Sequence, residues 1–413
     1  MLEKPFAGIA DALPDGDRLL RLLPFLAVLL LFGGVRTLPR AARPFFVALV
    51  SGSTLLNLYS GEARPYGLLA LLGLTLFLLS LEGRETPRRL AAIAAVSALS
   101  LYTHYLGILT VAALVPLALR ARRWRAAAAL LAGAALFAPW VPVLRAQPAG
   151  AVAWMREGAP ASIVGFLSAF GGVGRFSAQF GPPAPVLFFA AAAAGIAALA
   201  GVLARARRDR AVREAAAFVL LVLGGALAVS VWRPIAFAGR TELAVLPVWI
   251  WALARSAPES RPLRGLCVAI AALGCLVTLG AALGPQAAPP NEAVTESLSR
   301  VAEPQDSVLA AASFYLPARL AADRGRLRAE VEPLSPDLEA HPGWFVPALP
   351  GDDEERRVAA AAARRRPGSR VFLVIPPPYA TPGLVRALSA PGGRVRELMR
   401  SSDARVLLWT RDR

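Results

Sequence analysis

The feature that most limits what this chain can fold into is a succession of ten apolar blocks with arginines between them. The blocks run Leu19–Val35, Pro44–Leu58, Pro65–Leu81, Leu90–Tyr102, Leu106–Leu119, Ala126–Leu144, Val186–Ala204, Ala215–Val231, Thr241–Ala254 and Leu263–Leu283. A helix needs roughly 20 apolar residues to cross a bilayer. Several blocks come close to that, and the shorter ones suit broken helices inside a bundle. A soluble core would not concentrate its apolar residues in this way, and the charged fraction of 18% is well below the usual quarter or so.

Charge placement sets the topology. Eighteen arginines fill alternate loops: Arg36, Arg40 and Arg43; Arg84, Arg88 and Arg89; Arg120, Arg122, Arg123 and Arg125; Arg205, Arg207, Arg208, Arg210 and Arg213; Arg255, Arg261 and Arg264. The intervening loops hold only Arg64, Arg145, Arg156, Arg175, Arg233 and Arg240. Short basic loops stay on the cytoplasmic side. The alternation holds through all ten blocks and predicts that residues 1–18, and everything after Leu283, lie outside. The net charge of +17 is therefore a topology signal, and nucleic acid is not an expected partner. No signal-peptide pattern is read at the N-terminus.

From Gly284 the composition turns mixed and polar, opening on a Pro-rich linker, Pro285 to Pro290. Ser307–Ala312, Val371–Ile375 and Arg405–Thr410 read as strands, and Pro317–Ala322 and Leu384–Leu388 as helical stretches, which together predict a small α/β domain. The expected fold class is mainly α: a polytopic membrane bundle of about ten helices over 19–284, with a small extracytoplasmic α/β domain over 285–413. Residues 1–18 read as the remnant of a first outer loop. The expected location is the plasma (inner) membrane, with membrane lipids as surroundings. The long loop from Arg145 to Pro185 carries Trp154, Phe166, Phe170, Phe176 and Phe180, a pattern that suits either an interfacial helix on the membrane surface or a plain connecting loop.

Metal and disulfide chemistry are poorly served. Cys267 and Cys275 stand eight apart in one helical block, about 12 Å along the axis, too far to bond. The two histidines, His104 and His341, make no metal spacing. No cofactor is evident, and the question of a divalent metal ion stays open.

Three outer motifs hold the candidate site. Tyr59-Ser60-Gly61-Glu62-Ala63-Arg64-Pro65-Tyr66 is a polar knot between apolar blocks, and charges at membrane depth are costly and usually functional. Its bland reading is a hairpin turn with a solvated Glu62–Arg64 pair. Tyr102-Thr103-His104-Tyr105 places an imidazole at the next outer turn, where it could bond a phosphate or a sugar hydroxyl; the competing reading is an interfacial aromatic belt. In the stretch from Arg233 to Glu242, Arg240 suits a phosphate clamp, against ordinary snorkelling. Tyr59, Glu62, Arg64, Tyr66, His104, Tyr105 and Arg240 are the expected substrate-binding residues. Together they suggest a charged, aromatic-lined cavity at the membrane boundary that would suit a lipid-linked phosphate.

The string YSGEARPYGLLALLGL, the later LYTHYLGILTVAAL, and P-x-x-F-x-G-R-T-E-L-A-V-L-P from Pro234 to Pro247, read loosely, resemble the GT-C type membrane glycosyltransferases. The nearest group is the dolichyl-phosphate-mannose protein mannosyltransferase-like group, glycosyltransferase family 39-like. The resemblance covers roughly residues 15–284. It implies transfer of a sugar from a polyprenyl-phosphate donor to an extracytoplasmic glycan, lipid or protein acceptor, with inversion at the anomeric carbon. One departure stands out: that family's catalytic acid follows a first membrane helix that this sequence lacks. Asp11, Asp15 and Asp17 lie in the corresponding loop without an Asp-Glu pair, so no catalytic residue is assigned. Met1 is expected to be an internal start. Two other readings remain open: a polytopic transporter or flippase, and a truncated non-catalytic relative acting as a scaffold.

Overall fold

The computed structural model describes residues 16–62, 64–81, 83–145, 158–174, 184–283, 290–335, 351–365, 368–377, 381–389, 392–400 and 404–411. The described residues up to 283 form one compact unit and those from 290 onward a second.

The first unit is a helical bundle. Its helices are α1 (Gly16–Leu31), α2 (Arg43–Gly52), α3 (Thr54–Gly61), α4 (Tyr66–Leu81), α5 (Pro87–Thr103), α6 (Gly107–Arg120), α7 (Trp124–Ala135), α8 (Val141–Arg145), α9 (Ala159–Phe170), α10 (Ala184–Ala206), α11 (Arg210–Ser230), α12 (Leu246–Ser256) and α13 (Arg261–Leu283). Each of the ten apolar blocks is helical over most of its length. Among the described residues, four spans are long and apolar enough to cross a membrane: Trp124–Arg145, Pro185–Ala206, Arg210–Ser230 and Arg261–Leu283. A fifth exists if the bent pair Arg40–Gly52 and Thr54–Gly61 counts as one.

Burial sorts the helices. α12 buries nearly every residue, as a helix apolar on all sides must when it sits at the centre of a bundle. Trp251 and Trp249 are its largest buried groups. Each indole N–H has an acceptor, Thr37 Oγ1 at 2.9 Å and the Phe170 carbonyl at 3.2 Å. Phe77 of α4 meets Trp251 edge-on at 5.8 Å and Phe218 of α11 at 5.5 Å. On α10 and α13, by contrast, Phe189, Ile196, Leu276 and Leu279 are more than half exposed. A soluble surface rarely presents apolar groups in such density, whereas hydrocarbon solvates them.

The 56° bend between α2 and α3 falls at Ser53, whose hydroxyl accepts from the Leu56 amide. Thr54 N–H donates to the Gly172 carbonyl and Thr54 Oγ1 accepts from Gly174 N–H at 2.7 Å. Neighbouring backbone thus supplies the partners that a broken helix loses, as it must away from water.

Many basic-loop arginines serve the helix ends. Arg89 donates to the carbonyls of Leu78 and Leu79 at the C-terminus of α4, where a cation also meets the helix dipole favourably. Asp209 caps the first amides of α11 and accepts from Arg255 at 2.9 Å. Burial pushes the Asp209 carboxyl up, but the hydrogen bond and charge of Arg255, with two helix amides, outweigh it and hold the group below its ordinary value.

The Arg145–Pro185 stretch departs from the expected surface helix. Its described part contains α9, and Phe166 and Phe170 are each 4% exposed. Phe170 stacks on Trp249 with ring centroids 4.4 Å apart. Small residues explain the depth: a Cβ at Gly165 would collide with Ala238, and one at Gly171 with the Ala191 carbonyl. Glycine lets these backbones approach, so the aromatics face the bundle. Trp154, Phe176 and Phe180 lie outside the described residues.

The second unit is a five-stranded sheet with helices on both faces. Its strands are β1 (Ser307–Ala310), β2 (Glu330–Pro333), β3 (Arg370–Ile375), β4 (Gly393–Arg400) and β5 (Arg405–Arg411), in the order β2-β1-β3-β5-β4. β1 pairs in parallel with β2 and β3, while β5 runs antiparallel to β3 and β4. Alternation sends Val308, Ala310, Phe372 and Val374 to one layer with α14 (Pro290–Val301) and α15 (Ala312–Asp323). Leu309, Val371, Leu373 and Ile375 face the other, with α16 (Asp352–Ala363) and α17 (Pro382–Ser389). Asp306, wholly buried, ties the start of β1 to β3 by accepting from Arg370 N, Nε and Nη2 at 2.8, 3.0 and 2.7 Å.

Candidate substrate site

Five of the seven expected residues meet in the first unit. Tyr59 ends α3, Tyr66 opens α4, and His104 and Tyr105 form the turn between α5 and α6. Their rings make a chain: Tyr59 to Tyr66 at 4.8 Å, Tyr66 to His104 at 5.1 Å, and His104 to Tyr105 at 4.1 Å. Arg240 completes the cluster. Its guanidinium carbon lies 5.8 Å from the Tyr66 ring centre and 5.4 Å from that of Phe237, within cation–π range, and it hydrogen-bonds the phenols of Tyr59 and Tyr66. Tyr59, Tyr66 and His104 are 1%, 4% and 8% exposed.

The chain reaches this arrangement through a pinned loop. Ser230 Oγ accepts from the amides of Ile235 and Ala236 at 3.0 and 2.7 Å. Thr241 Oγ1 accepts from Phe237 N–H at 2.9 Å, and the fully buried Glu242 accepts from Gly239 N–H at 2.6 Å. Gly239 has φ +94°, a conformation that costs a side-chain-bearing residue dearly. This glycine turns the chain so that Arg240 points back at α4. Gly73 permits the approach from the other side, because a Cβ there would strike the Ala244 carbonyl.

His104 is held as a neutral donor. Its Nδ1 accepts from Leu106 N–H at 3.2 Å, so the remaining proton sits on Nε2. Burial, and then the Arg240 cation, hold its imidazole far below the ordinary histidine range. A bond from His104 to a phosphate or hydroxyl would therefore come from a neutral imidazole and not from a group titrating near neutrality.

Glu62 and Arg64 sit differently. They pair with each other at 3.4 Å, with side chains 36% and 50% exposed, at the rim of the cluster. That is the geometry of the hairpin reading, and such a pair contributes about 0–1 kcal/mol. Both charges still act on the Tyr66 phenol. Phe237, Glu242, Thr241 and Ser230 are not among the seven expected site residues. Phe237 and Glu242 stand within the same sequence motif as Arg240, but their packing depends on long-range contacts. Asp11 and Asp15 lie outside the described residues, and Asp17 stands in the first turn of α1. Among the described residues, no three His, Cys, Asp or Glu side chains gather as a metal site.

No protein-family model matches the chain, and no curated protein matches it. One solved structure is similar, the crystal structure of ArnT from Cupriavidus metallidurans in the apo state. It is 15% identical, with 97% of this chain and 85% of that one covered and a TM-score of 0.42.

Proposed function

We propose that this chain is a membrane glycosyltransferase. In this reading it moves a sugar from a polyprenyl-phosphate-linked donor to an extracytoplasmic glycan, lipid or protein, in the plasma membrane, with its α/β domain on the outer side. The observation that carries the reading is the convergence of Arg240 on Tyr59, Tyr66 and His104 at one end of an apolar bundle. A lipid-linked phosphate needs a cation shielded from water for its charge, a polar wall for its sugar, and hydrocarbon beside both for its tail. Arginine binds phosphate with a directional fork, and the surrounding rings lower the local dielectric so that the attraction is stronger than in water. Aromatic faces and a neutral imidazole N–H are also suitable partners for a sugar ring.

The test uses the purified full-length chain in nanodiscs with a polyprenyl phosphate, bare and glycosylated. Arg240→Ala is expected to weaken binding at least about tenfold, about 1.4 kcal/mol, and Arg64→Ala by less, since Arg64 stands at the rim. Unchanged binding in both variants would sink the site assignment. Release of a glycosylated acceptor tests the transfer itself, and its dependence on a chelator reports any divalent ion.

A further inference from the structure

The opposite end of the bundle carries an open basic recess. There the turn between α6 and α7 and the first turn of α11 border a space of about 500 Å³ lined by Arg120, Ala121, Arg122, Arg210, Arg213 and Glu214, with all four arginines exposed. An adjoining cavity of about 630 Å³ shares Arg210 and Glu214 with it. The two differ in charge balance. In the larger one each acid has its partner: Glu85 with Arg123 at 3.5 Å, Asp209 with Arg255 at 2.9 Å, and Glu214 with Arg210 at 2.9 Å. The smaller one sets four arginines against one glutamate, and that glutamate is taken by Arg210. Arg120, Arg122 and Arg213 make no ion pair among the described residues.

Arg122 has φ +59°, and among the described residues it is the one non-glycine with a positive value. It ends α6: its N–H donates to the Leu119 carbonyl at 2.9 Å and that of Arg123 to the Ala118 carbonyl at 2.8 Å, the left-handed cap common at helix C-termini. The Arg122 side chain lines the recess. Trp124, two residues on, is 64% exposed, the placement of an indole at a membrane interface. The recess thus opens at headgroup depth.

We infer that this recess binds the phosphate of an anionic phospholipid in the leaflet on the arginine-rich side. A basic-loop bias alone requires positive charge on that side but not three unpaired arginines gathered around one recess. Basic pockets between membrane helices on the cytoplasmic side are known to take anionic headgroups. The inference does not rest on the proposed glycosyl transfer.

Native mass spectrometry of the full-length protein, with phosphatidylglycerol or phosphatidylcholine added to the detergent, tests it. The wild type is expected to retain phosphatidylglycerol selectively. Replacing Arg120, Arg122 and Arg213 together by Gln should lower retention on the order of a hundredfold, about fivefold for each arginine lost. A control triple, Arg207→Gln, Arg208→Gln and Arg264→Gln, removes as much charge from the same side outside the recess and should stay within about twofold of wild type. The corresponding Lys triple in the recess keeps the charge and should retain most binding, which separates loss of the site from loss of the fold. Equal loss in the control triple would overturn the inference, as would equal retention of phosphatidylcholine. Displacement of the lipid by excess inorganic phosphate would make a free anion the ligand and overturn the lipid assignment.

Discussion

Replacing Gly107 by Ala tests how the candidate substrate site is held together. Gly107 begins α6 directly after the His104–Tyr105 turn, and its N–H donates to the His104 carbonyl at 2.9 Å. A Cβ placed there would lie 2.5 Å from the Ser100 carbonyl oxygen, 2.7 Å from its carbon and 2.8 Å from Ser100 Oγ. Ordinary contact begins at 3.4 Å, so α5 and α6 must part by about 0.9 Å, and the nearest obstacle is backbone, with no flexible side chain to swing aside. The oxygen that would be displaced is the one accepting His104 N–H at 3.2 Å, a bond with little room to lengthen. Overpacking of this kind costs about 1–3 kcal/mol, and a weakened buried hydrogen bond adds about 1 kcal/mol. A net loss of about 2 kcal/mol corresponds to a fall in Tm of about 4–8 °C for a unit of this size. The assay is thermal unfolding in detergent beside polyprenyl-phosphate binding, with Gly280→Ala in α13 as the comparison. Nothing lies within 4 Å of a Cβ at Gly280, so that change should stabilise by about 0.5–1 kcal/mol. Because the His104 ring moves with its backbone, Gly107→Ala should also weaken ligand binding about tenfold, equivalent to about 1.4 kcal/mol. If Gly107→Ala matches Gly280→Ala in stability and binds ligand as wild type does, the close approach of α5 and α6 is refuted.

Three further expectations concern single groups. Tyr66→Phe keeps the ring beside Arg240 and should change ligand affinity by less than about threefold, while Tyr66→Ala removes the wall and should cost at least about tenfold; equilibrium titration in nanodiscs separates them. His104 has a folded-state pKa below its unfolded value, so its contribution to stability is complete above about pH 6.5 and is lost as pH falls from there toward the lowered value. His104→Asn keeps an acceptor for Leu106 N–H and should flatten the acid limb of a stability–pH curve by up to about 1.4 kcal/mol per pH unit. In the α/β domain, Asp306→Ala orphans the Glu303 and Arg370 backbone amides and leaves the Arg370 guanidinium with the Val301 carbonyl and Glu303, and should destabilise β1 and β3 by about 3 kcal/mol; faster hydrogen exchange confined to those strands and their neighbours is the expected result.

The helices were legible because a bundle in hydrocarbon writes its elements as long apolar runs, and each of the ten blocks became helical. α9 was not, because Gly165, Gly171 and the prolines around them read as loop. Those same glycines permit close packing, a meaning that only the neighbouring backbone supplies. In the second unit the buried strands β1, β3 and β5 stood out as apolar runs. β2 is four residues ending in Pro333, and β4, with Arg394, Arg396 and Arg400 on an edge, has the composition of a surface loop. The site showed a similar split. Arginine and tyrosine at helix ends drew attention as residue types, but the meeting of Arg240 with Tyr59 and Tyr66 across some 180 positions depends on Gly73 and Gly239. The opposite recess was hidden for another reason, since its arginines were already accounted for as topology.

The shortness of the helices around the cluster has a consequence for the surrounding lipid. α4 has 16 residues and α6 has 14, about 24 and 21 Å at 1.5 Å per residue, against a hydrocarbon thickness of about 30 Å. α10 and α13, with 23 residues each, have length to spare. α4 turns no exposed residue outward, but α6 carries Ile108 on its surface, and a bilayer meeting α6 thins there or is met by snorkelling end groups. Such thinning would bring headgroups down to Tyr66, so that a long-chain phosphate could reach Arg240 without leaving its own leaflet. Membrane thickness would then be a control on access, and the bundle would shape the membrane from which its ligand arrives.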